Sequence, residues 1–180
     1  MYSPKYIMGV NFGSYPKFHY EFINGETVLV YGEIKDDEGS NSNGSGKSTL
    51  IKAMAYLLID LPDGKLSKDD FIRDETDCSL LVGEFHNSVN NITLKIKRKI
   101  YRKKSSIVQI YENGNLNTQL TSVSEANSRI LQLLDISKED ILNYFIIDGD
   151  NGVSFFSATD SDKKKVIARF SKASMIDEAI

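Results

Sequence analysis

The sequence is poor in the groups that hold proteins together covalently or through metals. Its one cysteine, Cys78, excludes an internal disulfide and fits a reducing compartment. His19 and His86 stand alone, so no metal-ligand spacing is visible. Long apolar runs are missing as well. None approaches the roughly eighteen residues that span a bilayer. The first residues, MYSPKYIMGVNF, lack the basic start and apolar stretch of a signal peptide. These absences point to a cytoplasmic protein with no membrane partner. Strong charge of one sign is lacking too. A net charge of −3 excludes a polycation, so any nucleic-acid contact must rest on local patches. There are no internal repeats and no low-complexity segments. What is there is a chain of 180 residues, 41% hydrophobic and 26% charged. That is enough for one domain with a real core and short for two.

The order of elements is mixed. Residues 5–12 and 18–22 read as short strands, INGE as a turn, and TVLVY (27–31) as an apolar β-branched strand. In residues 48–59, Leu50, Ile51, Met54, Leu57 and Leu58 recur at helical spacing. DLPDGK stops that helix. Residues 78–85, 91–101 and 106–112 are strand-like and separated by turn residues, which predicts an antiparallel meander. Residues 122–136 and 138–145 read as helices, IIDGDNG as a short strand entering a loop, and 161–180 as a charged final helix without a stop signal. A tail that ends in mid-helix suggests that the natural chain continues.

Between the strand at 27–31 and the helix at 48–59 lies GSNSNGSGKSTL. It ends as a phosphate-binding loop of the pattern G-x-x-x-x-G-K-[ST], with Asn41 where the first glycine belongs. A triphosphate packs several negative charges within a few ångströms, and closely spaced backbone N–H groups free of side chains can surround it. Gly44 and Gly46 allow that approach. Asn43, Ser45 and Thr49 complete the loop, Lys47 reaches the β- and γ-phosphates, and the Ser48 hydroxyl binds Mg²⁺. The helix directs its positive end at the same phosphates. The alternative is an ordinary Gly/Ser/Asn loop capping a helix, but the strand–loop–helix order favours ATP and Mg²⁺. Asn41 tolerates a left-handed backbone nearly as well as glycine. Alternatively Gly32 takes the first-glycine role and residues 33–42 are an insertion.

VNFGSY, TVLVYG and NGSGKSTLIKAMAYLL together resemble the N-terminal half of the SMC-like ATPases, and most closely the SbcC type, the ATPase subunit of the double-strand-break repair nuclease. The likeness continues through KIKRKIYRK, QIYENGN and LLDISKEDILNYF to FIIDGDNGVSFF. The long Asp/Gly-containing loop entrance is similar to that of phage-type relatives. The resemblance implies an α/β fold: a P-loop NTPase, specifically the N-terminal lobe of an ABC-type ATPase head, with an antiparallel β-meander and a helical part. Residues 1–160 would form the lobe and 161–180 the start of a helix leading to a coiled coil. A C-terminal half of the head, on the same or a separate chain, would supply the signature motif and the Walker B acids. Two heads would form a homodimer around ATP, clamp DNA and regulate an Mre-type or SbcD-type nuclease subunit.

The resemblance also assigns residues. Asn11, Phe12 and Ser14 match an N-F-x-S start where the chain passes the nucleotide; a strand end with a turn is the plain alternative. Arg73 stands where relatives carry an arginine that approaches the nucleotide. Asp148 stands where the family places a metal-touching glutamine, and a carboxylate can also hold Mg²⁺. FIIDGD read instead as a Walker B strand would make Asp148 the acid of a self-contained small P-loop NTPase or kinase. A nucleotide-binding scaffold module without turnover is a further alternative. LLIDLP (57–62) mimics Walker B too, but reads as the end of the P-loop helix. No catalytic base is identifiable. The basic stretch Lys95, Lys97, Arg98, Lys99, Arg102, Lys103 and Lys104 would suit DNA phosphates, although such a run is more often a solvated face.

Overall fold

The computed structural model describes residues 2–32, 46–60, 67–142, 159–161, 163–164 and 167. Its strands are β1 (Tyr2–Phe12), β2 (Tyr15–Glu21), β3 (Cys78–Asn87), β4 (Ile92–Tyr101), β5 (Ile107–Glu112) and the two-residue β6 (Asn115–Leu116). They form one antiparallel sheet in the order β2-β1-β3-β4-β5-β6. β1 turns back onto β2 at Gly13–Ser14 and pairs on its other side with β3, so the N-terminal hairpin and the meander share a single sheet. β3, β4 and β5 follow one another in register, with Gly83 opposite Ile96 and Ile96 opposite Ile110.

Period-2 alternation sorts the faces. Leu94, Ile96, Arg98 and Ile100 of β4 are buried on one side, together with Ser79, Leu81 and Phe85 of β3. Helix α1 (Lys47–Ile59) packs on that side, and α2 (Val123–Leu134) lies beside it against β5. Gly83 marks the closest approach: a β-carbon there would meet Leu57 Cδ2 at 2.4 Å. Phe12, Tyr56 and Phe71 form an aromatic knot, with ring centroids 4.5–6.1 Å apart, at the junction of β1, α1 and the 3₁₀ turn Lys68–Phe71. Burying side chains of this size contributes about 1.5–3 kcal/mol each.

α2 starts on a reciprocal cap, in which Ser122 Oγ accepts from the Glu125 N–H and Glu125 accepts from the Ser122 N–H. The short α3 (Lys138–Asp140) starts in the same way on Ser137 and Asp140. Helical backbone is present at 160–161, 163–164 and 167, within the predicted final helix. The predicted strand IIDGDNG lies outside the described residues.

Two expectations need correction. Residues 27–31 form no strand: Val28, Leu29, Val30 and Tyr31 are 52%, 84%, 43% and 80% exposed. A β-branched apolar run becomes a strand only when another chain segment satisfies its backbone, and none of the described residues lies alongside. Arg98 does not belong to a basic surface either. It shares the inward phase of Leu94, Ile96 and Ile100 and is 0% exposed. Its Nε and Nη2 donate to the Leu57 carbonyl at 3.2 and 3.0 Å, and Nη2 donates to Asn127 Oδ1 at 2.7 Å. Nη1 has no hydrogen-bond partner among the described residues but lies 3.6 Å from Asp60 Oδ1, close enough for ionic attraction. Burial pulls the guanidinium below its usual arginine range, while Asp60 opposes that pull. Arg98 therefore ties the C-terminal end of α1, where the helix dipole is negative, to β4 and α2. Lys95, Lys97 and Lys99 take the other phase of β4. Lys95 pairs with Glu84 at 3.3 Å, and Lys97 and Lys99 lie over the rings of Tyr111 and Tyr101.

Candidate nucleotide site

The N-terminus of α1 differs from those of α2 and α3. Its capping residue is Gly46 in left-handed conformation (φ 87°), with no side-chain cap and no acidic residue in the first turn. The first-turn N–H groups of any helix lie beyond intrahelical acceptors. At α2 and α3 a serine oxygen fills that position; at α1 none of the described side chains does. The first intrahelical bond runs from the Leu50 N–H to the Gly46 carbonyl at 3.2 Å. Ser48 at this end is exposed, and Lys47 and Thr49 are half-buried.

The hairpin turn Gly13–Ser14 packs directly onto this helix end. A β-carbon on Gly46 would sit 2.8 Å from Ser14 Oγ and 3.0 Å from the Tyr15 ring. One on Gly13, where φ is 52°, would sit 2.5 Å from Thr49 Cγ2. Both glycines are therefore required by close approach as well as by backbone conformation. Asn11 precedes the turn with φ 53°, a left-handed position that asparagine tolerates. Its carbonyl accepts from the Arg73 N–H at 2.9 Å, the Phe71 carbonyl accepts from the Gly13 N–H at 3.1 Å, and Phe12 bridges Ile72.

These contacts border an open cavity of about 780 Å³ beside the first turn of α1. Gly13, Ser14 and Thr49 form one wall, and Asp69, Asp70, Arg73, Glu75 and Arg102 line the other. The volume is of the size that holds a cofactor. The structure thus brings Ser14, Thr49 and Arg73 to one cavity, whereas Gly46, Lys47 and Ser48 precede Thr49 at the helix start and do not line it. Phe12 is 0% exposed and packs in the aromatic knot, so it anchors the turn and does not line this cavity. Asn43, Gly44 and Ser45 lie outside the described residues, as do Asp148 and the insertion 33–42. No group of three or more His, Cys, Asp or Glu suited to a metal occurs among the described residues. The donor set described for Mg²⁺ is the exposed Ser48 hydroxyl, which suits a cation that keeps most of its water. LLIDLP begins as the last turn of α1, with Asp60 as its C-terminal cap, and the Asp60 N–H donates to the Tyr56 carbonyl. Burial and the neighbouring Asp60 raise the Tyr56 phenol well above its usual range.

Sequence reasoning missed Gly13, Tyr15 and Arg102. The glycine between Phe12 and Ser14 was a visible signal. Arg102 was hidden within a run of cations, and its contacts lie about thirty residues back in the chain.

The chain matches the AAA domain family over residues 9–180. It is 28% identical to the DNA double-strand break repair Rad50 ATPase of Methanococcus maripaludis over 159 residues, which are 88% of this chain and 14% of that protein. It is 26% identical to the SbcC component of the nuclease SbcCD of Staphylococcus epidermidis over 188 residues, covering 97% of this chain and 18% of that one. The chain thus spans less than a fifth of these relatives. Among solved structures, the recombination mediator RecF with ATP superposes with a TM-score of 0.52 at 22% identity, covering 67% of this chain and 28% of RecF. That likeness concerns the fold: a P-loop ATPase arrangement of antiparallel sheet and helices. No described helix is long and apolar enough to cross a membrane. With its phosphate-loop sequence, its sheet-and-helix fold and a family match over nearly its whole length, the chain belongs to the AAA domain family, as an N-terminal region of the SMC-like, SbcC-type ABC ATPases.

Proposed function

We propose that this chain is the ATP-binding half of a DNA-repair ATPase head. The observation that carries the reading is the start of α1, whose Gly46 cap carries no side chain and whose Thr49 lines a cavity walled by the Ser14 turn and the Arg73 segment. The N–H groups of Asn43–Thr49 and the Lys47 ammonium would hold the phosphates at the α1 N-terminus. Ser48 and Asp148 would hold Mg²⁺, which would supply positive charge to offset that of the phosphates. Asn11 and Ser14 border the nucleotide on one side, and Arg73 borders it on the other. Four carboxylates, Asp69, Asp70, Asp74 and Glu75, lie on the Arg73 wall. They repel a triphosphate, so on that wall Arg73 is the group suited to face it.

Hydrolysis needs a held, activated water and added charge stabilisation. A C-terminal half supplies these, and two such heads dimerise on ATP. Residues 1–160 are the lobe and 161–180 the root of a coiled coil. The exposed apolar run Val28–Tyr31 supports such a half, because it is β-prone sequence that a further segment could pair and cover. The relatives' names, a DNA double-strand break repair ATPase and a subunit of the nuclease SbcCD, support a role in DNA repair beside a nuclease partner. The Lys97 and Lys99 face, interleaved with Tyr101 and Tyr111, suits DNA phosphates.

Equilibrium titration with Mg-ATP tests the nucleotide assignment. Saturable binding that weakens at least tenfold in Lys47→Ala is expected, since the lysine meets two phosphates as a charged donor. Binding indifferent to Lys47 would refute the assignment.

A further inference from the structure

We infer that Arg102 is a positioning residue of the nucleotide site, acting through Arg73; the inference rests on the nucleotide reading above. Arg102 follows β4, where the outward lysines end. Its guanidinium is spent on the backbone of one segment. Nε donates to the Thr76 carbonyl at 2.9 Å, and Nη2 donates to the carbonyls of Ile72 at 2.9 Å and Arg73 at 3.1 Å. Nη1 reaches the Asp69 carbonyl at 3.4 Å, the weakest of the four. The Arg102 N–H adds a bond to the Asp77 carbonyl at 3.2 Å. One residue thus gathers five carbonyls from residues 69–77.

The same segment is pinned on its far side by the Arg73 N–H to the Asn11 carbonyl. Arg73 stands between the two pins. Its neighbour Glu75 has φ 63°, an uncommon conformation for a residue with a long side chain. Thr76 closes the turn by donating from its N–H and hydroxyl to the Arg73 carbonyl. Ile72 is buried and Thr76 half-buried, but Asp69, Arg73 and Asp77 are exposed, and water could satisfy their carbonyls in many arrangements. The planar fork of an arginine selects one, which a lysine ammonium, a single point charge, cannot do. Arg102 and Arg73 both line the cavity at the start of α1. The fork therefore sets where the Arg73 side chain stands relative to Ser14 and Thr49.

A double-mutant cycle on Mg-ATP affinity in the full chain tests this, with Arg73→Ala, Arg102→Lys and the double variant compared. The expected result is a roughly ten- to hundredfold loss in each single variant, the scale produced by misplacing a binding group by about 1 Å. The double variant should be no weaker than Arg73→Ala, because both changes remove one interaction. Amide exchange at 73–76 should quicken in Arg102→Lys while Tm stays close to the wild type. If Arg102→Lys unfolds, Arg102→Gln, which keeps a planar donor, replaces it in the cycle. Additive losses, or wild-type affinity in either single variant, would overturn the inference. Absence of Mg-ATP binding in the wild type, or indifference to Lys47→Ala, would show instead that the nucleotide reading itself had failed, and the inference with it.

Discussion

Arg98→Met tests how the phosphate-loop helix is held. The substitution keeps an unbranched stem of similar reach and removes the charged head from a site that is 0% exposed. Two acceptors lose their donors, the Leu57 carbonyl at the end of α1 and Asn127 Oδ1 in α2. Each buried acceptor left without a partner costs about 1–3 kcal/mol. Part of that is recovered. The guanidinium's desolvation is relieved, Nη1 had no hydrogen bond to lose, and the Asp60 carboxylate, 29% exposed, returns to water. The net loss should be about 2–4 kcal/mol, near the lower end of what breaking a buried charged network costs. For a chain of this length that lowers Tm by about 5–15 °C. It also moves the urea midpoint down by about 1–2 M at an unchanged slope of roughly 2 kcal/mol/M. Circular dichroism of the 180-residue chain reads both. Arg98→Met with Asn127→Ala should lose less than the sum of the two, because the changes share a bond. A Tm within about 1 °C of the wild type would refute the reasoning. It would show that an apolar stem serves here as well as the ionic tie, as happens at some buried ion pairs.

Gly46→Ala should lower stability by about 1–2 kcal/mol through left-handed strain, and also weaken Mg-ATP binding, because the new methyl displaces Ser14 and Tyr15; calorimetry reads both. Gly83→Val should cost about 1–3 kcal/mol by overpacking Leu57, measured by urea unfolding, with α1 signals shifting most in a heteronuclear spectrum. The Glu125 carboxyl is held below its usual 4.5, chiefly by the Thr121 N–H, then by the Thr121 hydroxyl and Ser122. Its folded pKa is depressed, so its stabilisation is present above pH 4.5 and is lost as pH falls through the folded value. The Tm gap between wild type and Glu125→Gln should therefore close on acidification.

The parts of the fold that rest on local chemistry were legible in the sequence. Strand-like composition between turn residues located β1 and β3–β5, and the helix read at 122–136 contains α2, whose start Ser122 and Glu125 cap. Alternation carried the fate of Arg98, since it shares a phase with Leu94, Ile96 and Ile100; the density of cations around it hid that signal. Residues 27–31 read as a strand because composition reports what a segment can pair with, and pairing depends on a neighbour. The helix start at Gly46–Thr49 was legible as a phosphate-loop sequence, whereas Ser14 and Arg73, which line the cavity, were reached through the family resemblance and not through spacing. Arg73 reaches the site through bonds to Asn11 and Arg102, contacts spanning about thirty residues or more that leave no periodic trace.

The central proposal is that this chain binds ATP and that a C-terminal half supplies the groups that split it. The most direct measurement is Mg-ATP turnover by residues 1–180, alone and mixed with a C-terminal half of a relative's head. The account predicts background hydrolysis by the chain alone and Lys47-dependent turnover in the mixture, with residues 27–31 gaining amide protection as they pair. Brisk hydrolysis by the isolated chain, abolished by Lys47→Ala, would contradict it and make the chain a complete small NTPase with Asp148 as its acid.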